Sequence, residues 1–219
     1  MKSVALVHSV KILANSFDQQ LKEYLDEEVK IHNLWDDFLA NNPNEIGEFT
    51  IGNQNRLFYD IKSAELTGAD LIVVTCSTLT PIVNLIRPFV RVPLISIDDE
   101  MTRRAVNQGE NLLILATAAS TKDPLTKRLN AEAAKIGKKV SIDFLSNADA
   151  FQAMKALEMQ KHDEFLRDTA KNITNYDCII LAQASMAHLD KDIEKISNIT
   201  TLSSIALCLE QIKKNLEKI

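Results

Sequence analysis

DLIVVTCSTL, residues 70–79, is an apolar run of strand length followed at once by small hydroxyl residues. DCIILAQASM, residues 177–186, repeats this arrangement, so that Asp70 matches Asp177 and Cys76 matches Gln183. Self-similarity at a constant offset indicates a duplicated structural unit. The alternative is chance, because apolar strands are monotonous and any two strand-to-helix turns resemble each other over ten residues.

The same pattern of strand-length apolar runs alternating with amphipathic helical stretches extends along the chain, as expected for successive βαβ units. Two further segments match near the same offset, VALVHSV (residues 4–10) and LLILATA (residues 112–118), which places Ser9 level with Thr117. Runs that are apolar on both faces suit parallel sheets covered by helices on each side. The remaining predicted strands are VKIHNL near residue 29, VPLISI at 92, KVSIDFL at 139 and DCIILA at 177.

The sequence therefore predicts an α/β protein of two pseudo-symmetric, doubly wound lobes. We expect the first lobe to comprise residues 1–98 plus 203–219, and the second residues 99–202. Helical stripes are predicted around Phe17 and Leu57, and a final amphipathic helix carries Leu209 and Ile212. Ligands of open parallel sheets bind beyond the carboxyl ends of the strands, so an active-site cleft between the lobes is predicted.

Composition and charge exclude several classes of protein. The 219 residues carry a formal net charge of −5 with the acids spread out, which gives no footprint for nucleic acid. Neither a leader-like segment nor a membrane-length apolar stretch is evident, so we expect a soluble, cytoplasmic protein without a membrane partner. The three cysteines are far apart and the four histidines lack ligand spacing, which predicts no disulfide and no metal site. Dinucleotide, nucleoside triphosphate and G-x-S-x-G motifs are absent.

Cys76 is the strongest candidate for chemistry. The residues after it, STLTPIVNLIRP, predict a helix that Ser77, Thr78 or Thr80 caps, with Pro81 in its first turn. A thiol at a helix N-terminus is favoured as thiolate and can then transfer protons. The same N–H groups and hydroxyls would bind a substrate carboxylate and stabilise an enediolate. The alternative is a buried thiol that packs as a small hydrophobe.

VVTCSTLTP (residues 73–81) and LLILATAAST (residues 112–121) resemble motifs of the aspartate/glutamate/hydantoin racemase superfamily. DCIILAQASM lies where that family carries its second cysteine. The resemblance implies two α/β lobes, no pyridoxal phosphate or other cofactor, frequent dimerisation, and two thiols on opposite faces of the substrate α-carbon. It further implies that the substrate-binding residues are His8, Ser9, Ser77, Thr78, Thr117, Ser120 and Ser185.

The match to the family breaks at the second cysteine. Gln183 takes its place, and an amide cannot exchange protons near neutral pH. Gln183 either bonds the substrate or is a structural amide bonded to backbone. His188 is a possible replacement acid or base, or a solvated histidine; His8 is either catalytic or bonded to backbone. His32 and His162 show no pairing pattern.

The remaining candidates have simpler interpretations. Cys178, in a strand, and Cys208, on the apolar face of the last helix, are predicted to be core thiols. Thr117, Ser120 and Thr121 are alternatively helix caps. Three functions stay open: a racemase acting on a small amino or dicarboxylic acid, a one-thiol decarboxylase or isomerase of the same family, and a non-catalytic binder of small acids.

Overall fold

The strands form two four-stranded parallel sheets of the same topology. The computed structural model describes residues 1–219, apart from the side chain of Ile12. The first sheet has the order β2-β1-β3-β4 and is built from β1 (Ser3–His8), β2 (Lys30–Trp35), β3 (Leu71–Val74) and β4 (Leu94–Ser96). The second has the order β6-β5-β7-β8 and is built from β5 (Asn111–Ala116), β6 (Ser141–Ser146), β7 (Cys178–Leu181) and β8 (Thr201–Leu202).

Helices connect the strands in each half of the chain. The helices are α1 (Lys11–Tyr24), α2 (Phe38–Ile46), α3 (Ile51–Leu66), α4 (Thr80–Ile86), α5 (Asp99–Gln108), α6 (Lys122–Lys135), α7 (Ala148–Lys155), α8 (Met159–Ala170), α9 (Asp190–Ser197) and α10 (Ser204–Leu216). A capping box between Thr50 and Asn53 starts α3, and its predicted stripe of Leu57, Ile61 and Ala64 is buried. None of the described helices has the length and apolarity needed to cross a membrane.

Burial explains why the central strands are continuously apolar. In β7, Cys178 and Ile180 join one core cluster, whereas Ile179 and Leu181 join a second cluster. Successive strand residues point to opposite faces of a sheet, so helices cover both faces of this sheet. The predicted doubly wound α/β class is confirmed, and each apolar run predicted as a strand forms one. Only the two-residue strand β8 was not predicted.

The chain divides into two units, which we call lobe 1 (residues 1–97 and 208–219) and lobe 2 (residues 98–207). Each lobe contains one sheet. The final helix α10 begins in lobe 2 and continues in lobe 1, where Cys208, Leu209 and Ile212 are buried.

The two aspartates matched in the sequence perform the same task in their lobes. Asp70 Oδ2 accepts hydrogen bonds from the backbone N–H and the hydroxyl of Ser3, at 2.8 and 2.9 Å. Asp177 Oδ2 accepts from the backbone N–H groups of Glu110 and Asn111, at 2.7 and 2.9 Å. In lobe 1 the carboxylate that precedes β3 therefore bonds the start of β1, and in lobe 2 the carboxylate that precedes β7 bonds the start of β5. This shared detail supports duplication over chance similarity.

Candidate active site

Cys76 lies just beyond the carboxyl end of β3 in lobe 1. It is the N-cap residue of a 3₁₀ turn, Ser77–Leu79, which leads directly into α4. Its side chain is buried within the lobe 1 core cluster at 9% exposure, as the alternative of a packed thiol expected, whereas Cys178 and Cys208 are 0% exposed. Cys76 Sγ lies 3.1 Å from the hydroxyl oxygen of Thr78. The hydroxyl of Thr78 can donate a hydrogen bond to a sulfur that carries negative charge.

The predicted capping of the following helix is wrong. Leu79 is the N-cap of α4, and neither Leu79 nor Cys76 makes a side-chain capping bond. The physical reason is the intervening 3₁₀ turn, which moves the start of α4 to Thr80 and leaves Ser77 and Thr78 exposed. Pro81 does occupy the first turn of α4, as predicted.

The family resemblance places His8 in the loop after the first strand, but this is wrong, because His8 is the last residue of β1. The imidazole is fully buried, with Nε2 3.0 Å from Asn33 Oδ1 and Nδ1 2.8 Å from Thr75 Oγ1. Burial lowers the pKa of His8 below its ordinary 6.5, although the bond to Asn33 acts in the opposite direction. A neutral ring that donates from Nε2 to Asn33 Oδ1 fits this arrangement.

Ser9 follows β1 at the same edge of the sheet. It is only 2% exposed, and its hydroxyl has no hydrogen-bond partner among the described residues. A buried hydroxyl is normally bonded. A polar group of a bound ligand could therefore form the hydrogen bond that the Ser9 hydroxyl lacks.

Gln183 occupies the position in lobe 2 that corresponds to Cys76. It is the N-cap of a 3₁₀ turn, Ala184–Leu189, after β7. Its Oε1 accepts hydrogen bonds from Thr117 N at 2.7 Å, Thr117 Oγ1 at 3.0 Å and Ala118 N at 3.2 Å. The amide is thus bonded to backbone, which was one of the two interpretations left open by the sequence.

The other predicted residues of lobe 2 lie in the turns that follow β5 and β7. Ser120 is exposed, whereas the Ser185 hydroxyl is buried without a partner among the described residues. Thr121 is the N-cap residue of α6, but its hydroxyl bonds the Ala118 carbonyl at 2.8 Å instead of capping the helix. The thiol of Cys178 is buried in β7, which raises its pKa to about 12 and makes it unsuited to proton transfer.

His188 belongs to a hydrogen-bonded group that the sequence did not reveal. Its Nε2 lies 2.8 Å from Asp163 Oδ2, and His162 Nδ1 lies 2.8 Å from Asp163 Oδ1. Burial acts to raise the pKa of Asp163, but the bonds from His188 and His162 outweigh it and the pKa is lowered from 3.8. His162 thus has its hydrogen-bonding partner in the adjacent residue of α8.

The chain thus has two α/β lobes of one topology, with hydroxyl-rich turns after their central strands and a thiol in one of these turns. A family model described as Asp/Glu/Hydantoin racemase matches residues 14–212. The chain belongs to this family.

Solved structures share the fold at low sequence identity. A putative Asp/Glu racemase from Yersinia pestis is 16% identical with a TM-score of 0.76, covering 99% of this chain and 100% of its own. Allantoin racemase from Klebsiella pneumoniae is 12% identical with a TM-score of 0.69, covering 100% and 89%. Arylmalonate decarboxylase is 10% identical with a TM-score of 0.60, covering 97% and 91%. No curated protein sequence matches the chain significantly.

Proposed function

We propose that this protein is a cofactor-independent enzyme that transfers a proton at the carbon next to a carboxylate of a small amino or dicarboxylic acid. Cys76 is the acid or base. The observation that carries the proposal is the placement of Cys76 between β3 and α4, with Thr78 Oγ1 at 3.1 Å. Cys76 is buried, but it is the cysteine that keeps a residual exposure, 9% against 0% for the other two. Family membership supports the type of chemistry.

The hydroxyls near Cys76 are the proposed carboxylate ligands. Ser77 and Thr78 are exposed in the turn after Cys76, and Ser9 has an unpartnered hydroxyl at the end of β1. Donors in such turns stabilise the enediolate that forms when an α-proton leaves. His8 is proposed to support this turn, since both of its ring nitrogens are bonded within the lobe.

In lobe 2 the proposed substrate contacts are Ser120 and Ser185. Thr117, which the family resemblance also implies, already donates its N–H and its hydroxyl to Gln183. We therefore propose that Thr117 acts through Gln183.

With one thiol the reaction is one-sided. In a racemisation the Cys76 thiolate takes the α-proton, the electron pair of the C–H bond enters the enediolate, and water must supply the proton on the other face. In a decarboxylation the C–C bond breaks, carbon dioxide leaves, and the Cys76 thiol protonates the carbanion; the thiolate then regains a proton from water. The presence of Gln183 where the family resemblance implies a second thiol favours this second candidate.

Proton NMR in deuterium oxide distinguishes these reactions. The protein is incubated with a panel of small amino acids, dicarboxylic acids and malonates, and α-deuteration, chirality and carbon dioxide release are followed. Racemic product from one enantiomer identifies a racemase, carbon dioxide release a decarboxylase, and a rearranged skeleton an isomerase. If no acid is deuterated or converted while an active relative responds, the proposal fails.

A binder without chemistry is the third possibility, and Cys76→Ala separates it from an enzyme. An enzyme loses turnover in this variant, whereas a binder keeps its affinity for the acid and has no turnover to lose. Cys208→Ala is the matched control because Cys208 is a buried thiol in α10.

We also propose a cytoplasmic homodimer. The three free cysteines fit a reducing compartment, which cell fractionation tests.

The proposed dimer surface is on α3. Leu57 is buried, but the opposite face of α3 exposes Tyr59 and Leu66, at 68% and 87%. Exposed apolar side chains on one helix face can form part of an association surface. Light scattering should show a dimer. Replacing both Tyr59 and Leu66 by lysine should dissociate it into monomers.

A further inference from the structure

Three hydrogen-bond donors converge on a single oxygen in lobe 2. The backbone N–H groups of Thr117 and Ala118 and the hydroxyl of Thr117 all lie 2.7 to 3.2 Å from Gln183 Oε1. Because two of these partners are backbone N–H groups, the atom that they meet must be the amide oxygen and not its nitrogen. We call this arrangement of donors, formed by Thr117 and Ala118, the donor turn.

The donor turn has the geometry that proteins use to hold an oxyanion. Several preorganised donors at about 2.7 to 3.1 Å from one oxygen stabilise a carboxylate or a developing negative charge. Here a neutral side chain of the same lobe supplies the oxygen. A carboxylate could enter the donor turn only by displacing Gln183 Oε1 and all three of its hydrogen bonds.

The corresponding turn of lobe 1 is not filled in this way. Ser9 matches Thr117, and its buried hydroxyl has no partner among the described residues. Cys76 matches Gln183, and its sulfur contacts Thr78 in its own turn. The two lobes therefore share a topology but differ in whether the turn after the first central strand is occupied.

The amide nitrogen of Gln183 points away from the donor turn, because the amide oxygen faces it. Its Oε1 is fixed by three bonds, whereas Nε2 makes no hydrogen bond with the described residues. An amide held in one orientation presents its two N–H donors in a defined direction. These donors can bond an acceptor oxygen of a substrate, such as a carbonyl or an amide oxygen.

We propose that Gln183 determines substrate specificity by filling the donor turn of lobe 2 with its own carbonyl. The inference rests on the proposed function and narrows its substrate class. Among the acids of the proposed function, the preferred substrates present a neutral carbonyl or amide oxygen, and not a carboxylate, to Gln183. Aspartate and glutamate, which carry a second carboxylate, are poor substrates.

The binding test uses acetate as the probe and does not depend on catalysis. Gln183→Ala empties the donor turn, so titration with acetate should shift the ¹⁵N–¹H resonances of Thr117 and Ala118, with roughly tenfold or greater gain in affinity over the wild type. Gln183→Glu is the matched control, because its own carboxylate occupies the turn and acetate should leave both resonances unchanged. Equal acetate-induced shifts in the wild type and in Gln183→Ala would overturn the proposal.

The Gln183→Glu variant gives a second readout that holds even if Gln183→Ala does not fold. Three donors on a carboxylate favour its ionised form, so the pKa of the introduced carboxyl, followed by ¹³C NMR, should lie about one unit or more below that of an ordinary glutamate. An ordinary or raised pKa there contradicts the proposal.

Turnover separates the failure of this inference from the failure of the proposed function. If wild-type protein turns over a dicarboxylate faster than the analogue in which the distal carboxylate is an amide, the specificity proposal is wrong while the proposed function stands. If no acid reacts, the proposed function fails, and the acetate and pKa measurements still decide what the donor turn binds.

Discussion

Cys76 Sγ and Thr78 Oγ1 lie 3.1 Å apart in the turn that joins β3 to α4. This contact predicts that Thr78→Val, which keeps the shape of the side chain and removes the hydroxyl, lowers turnover roughly tenfold or more. A hydrogen bond to a charged group contributes about 1.5 to 3 kcal/mol. Thr67→Val is the control, because the Thr67 hydroxyl bonds the Ala64 carbonyl at the end of α3. Equal activity of the two variants would show that the contact has no catalytic role.

Selective alkylation of the native protein is the second prediction. All three cysteines are buried, but Cys76 keeps 9% exposure whereas Cys178 and Cys208 keep none. Iodoacetamide should therefore label Cys76 first, as peptide mass spectrometry can show, and should label all three cysteines in denaturant. Labelling of Cys178 or Cys208 at the same rate as Cys76 in the native protein would argue against an accessible sulfur in the β3–α4 turn.

Asp60 predicts a pH dependence of stability in lobe 1. Burial and the neighbouring Asp36 carboxylate raise the pKa of Asp60 from 3.8 to about 7, against the opposing charge of Arg56. The folded state thus binds a proton that the unfolded state releases, so the free energy of unfolding falls as the pH rises from about 4 to about 7. Asp60→Asn mimics the protonated acid and should remove this decrease. Because Asp60 is only partly buried and solvent screens its charge, we expect about half of the full effect of the shift, roughly 2 kcal/mol of added stability at pH 8.

Urea unfolding at pH 5 and pH 8 measures this effect. Asp37→Asn is the matched control, since Asp37 is an exposed carboxyl near the same arginine. The account is contradicted if wild type and Asp60→Asn lose the same stability between the two pH values.

Two glycines should respond in opposite directions to alanine. A Cβ on Gly109 would collide with the side chain of Asp177, whose carboxylate bonds the start of β5. Gly109→Ala should therefore destabilise the protein by about 1 to 3 kcal/mol. Gly52 lies in α3, where an added Cβ meets Thr50 Oγ1 at an ordinary 3.4 Å, so Gly52→Ala should stabilise by up to about 1 kcal/mol. Thermal unfolding of both variants tests this, and a stabilised Gly109→Ala would contradict it.

The fold followed from the sequence wherever burial determines residue type. The apolar runs became strands because both faces of the central strands are covered, as the alternation of β7 between two core clusters shows. The matched aspartates, Asp70 and Asp177, reflect a shared hydrogen-bonding task at the start of the sheets. The strand β8 was missed because two residues, Thr201–Leu202, are too few for a period to be recognised.

The candidate site was less predictable because its contacts join distant residues. The spacing of hydroxyls after Cys76 indicated a cap, but it did not reveal the 3₁₀ turn that moves the helix start to Thr80. The role of Gln183 depends on Thr117 and Ala118, which follow another strand. The bond between His188 and Asp163 likewise joins α8 to the turn after β7, and no local pattern encodes it.

The central claim is that the Cys76 thiol moves the proton, and the rate of α-deuterium exchange in deuterium oxide tests it most directly. The measurement compares wild type, Cys76→Ala and Cys208→Ala on the acid that reacts best. We expect wild type and Cys208→Ala to catalyse the exchange. In Cys76→Ala the exchange rate should fall to that of enzyme-free buffer. Exchange by Cys76→Ala at the wild-type rate would show that another group transfers the proton.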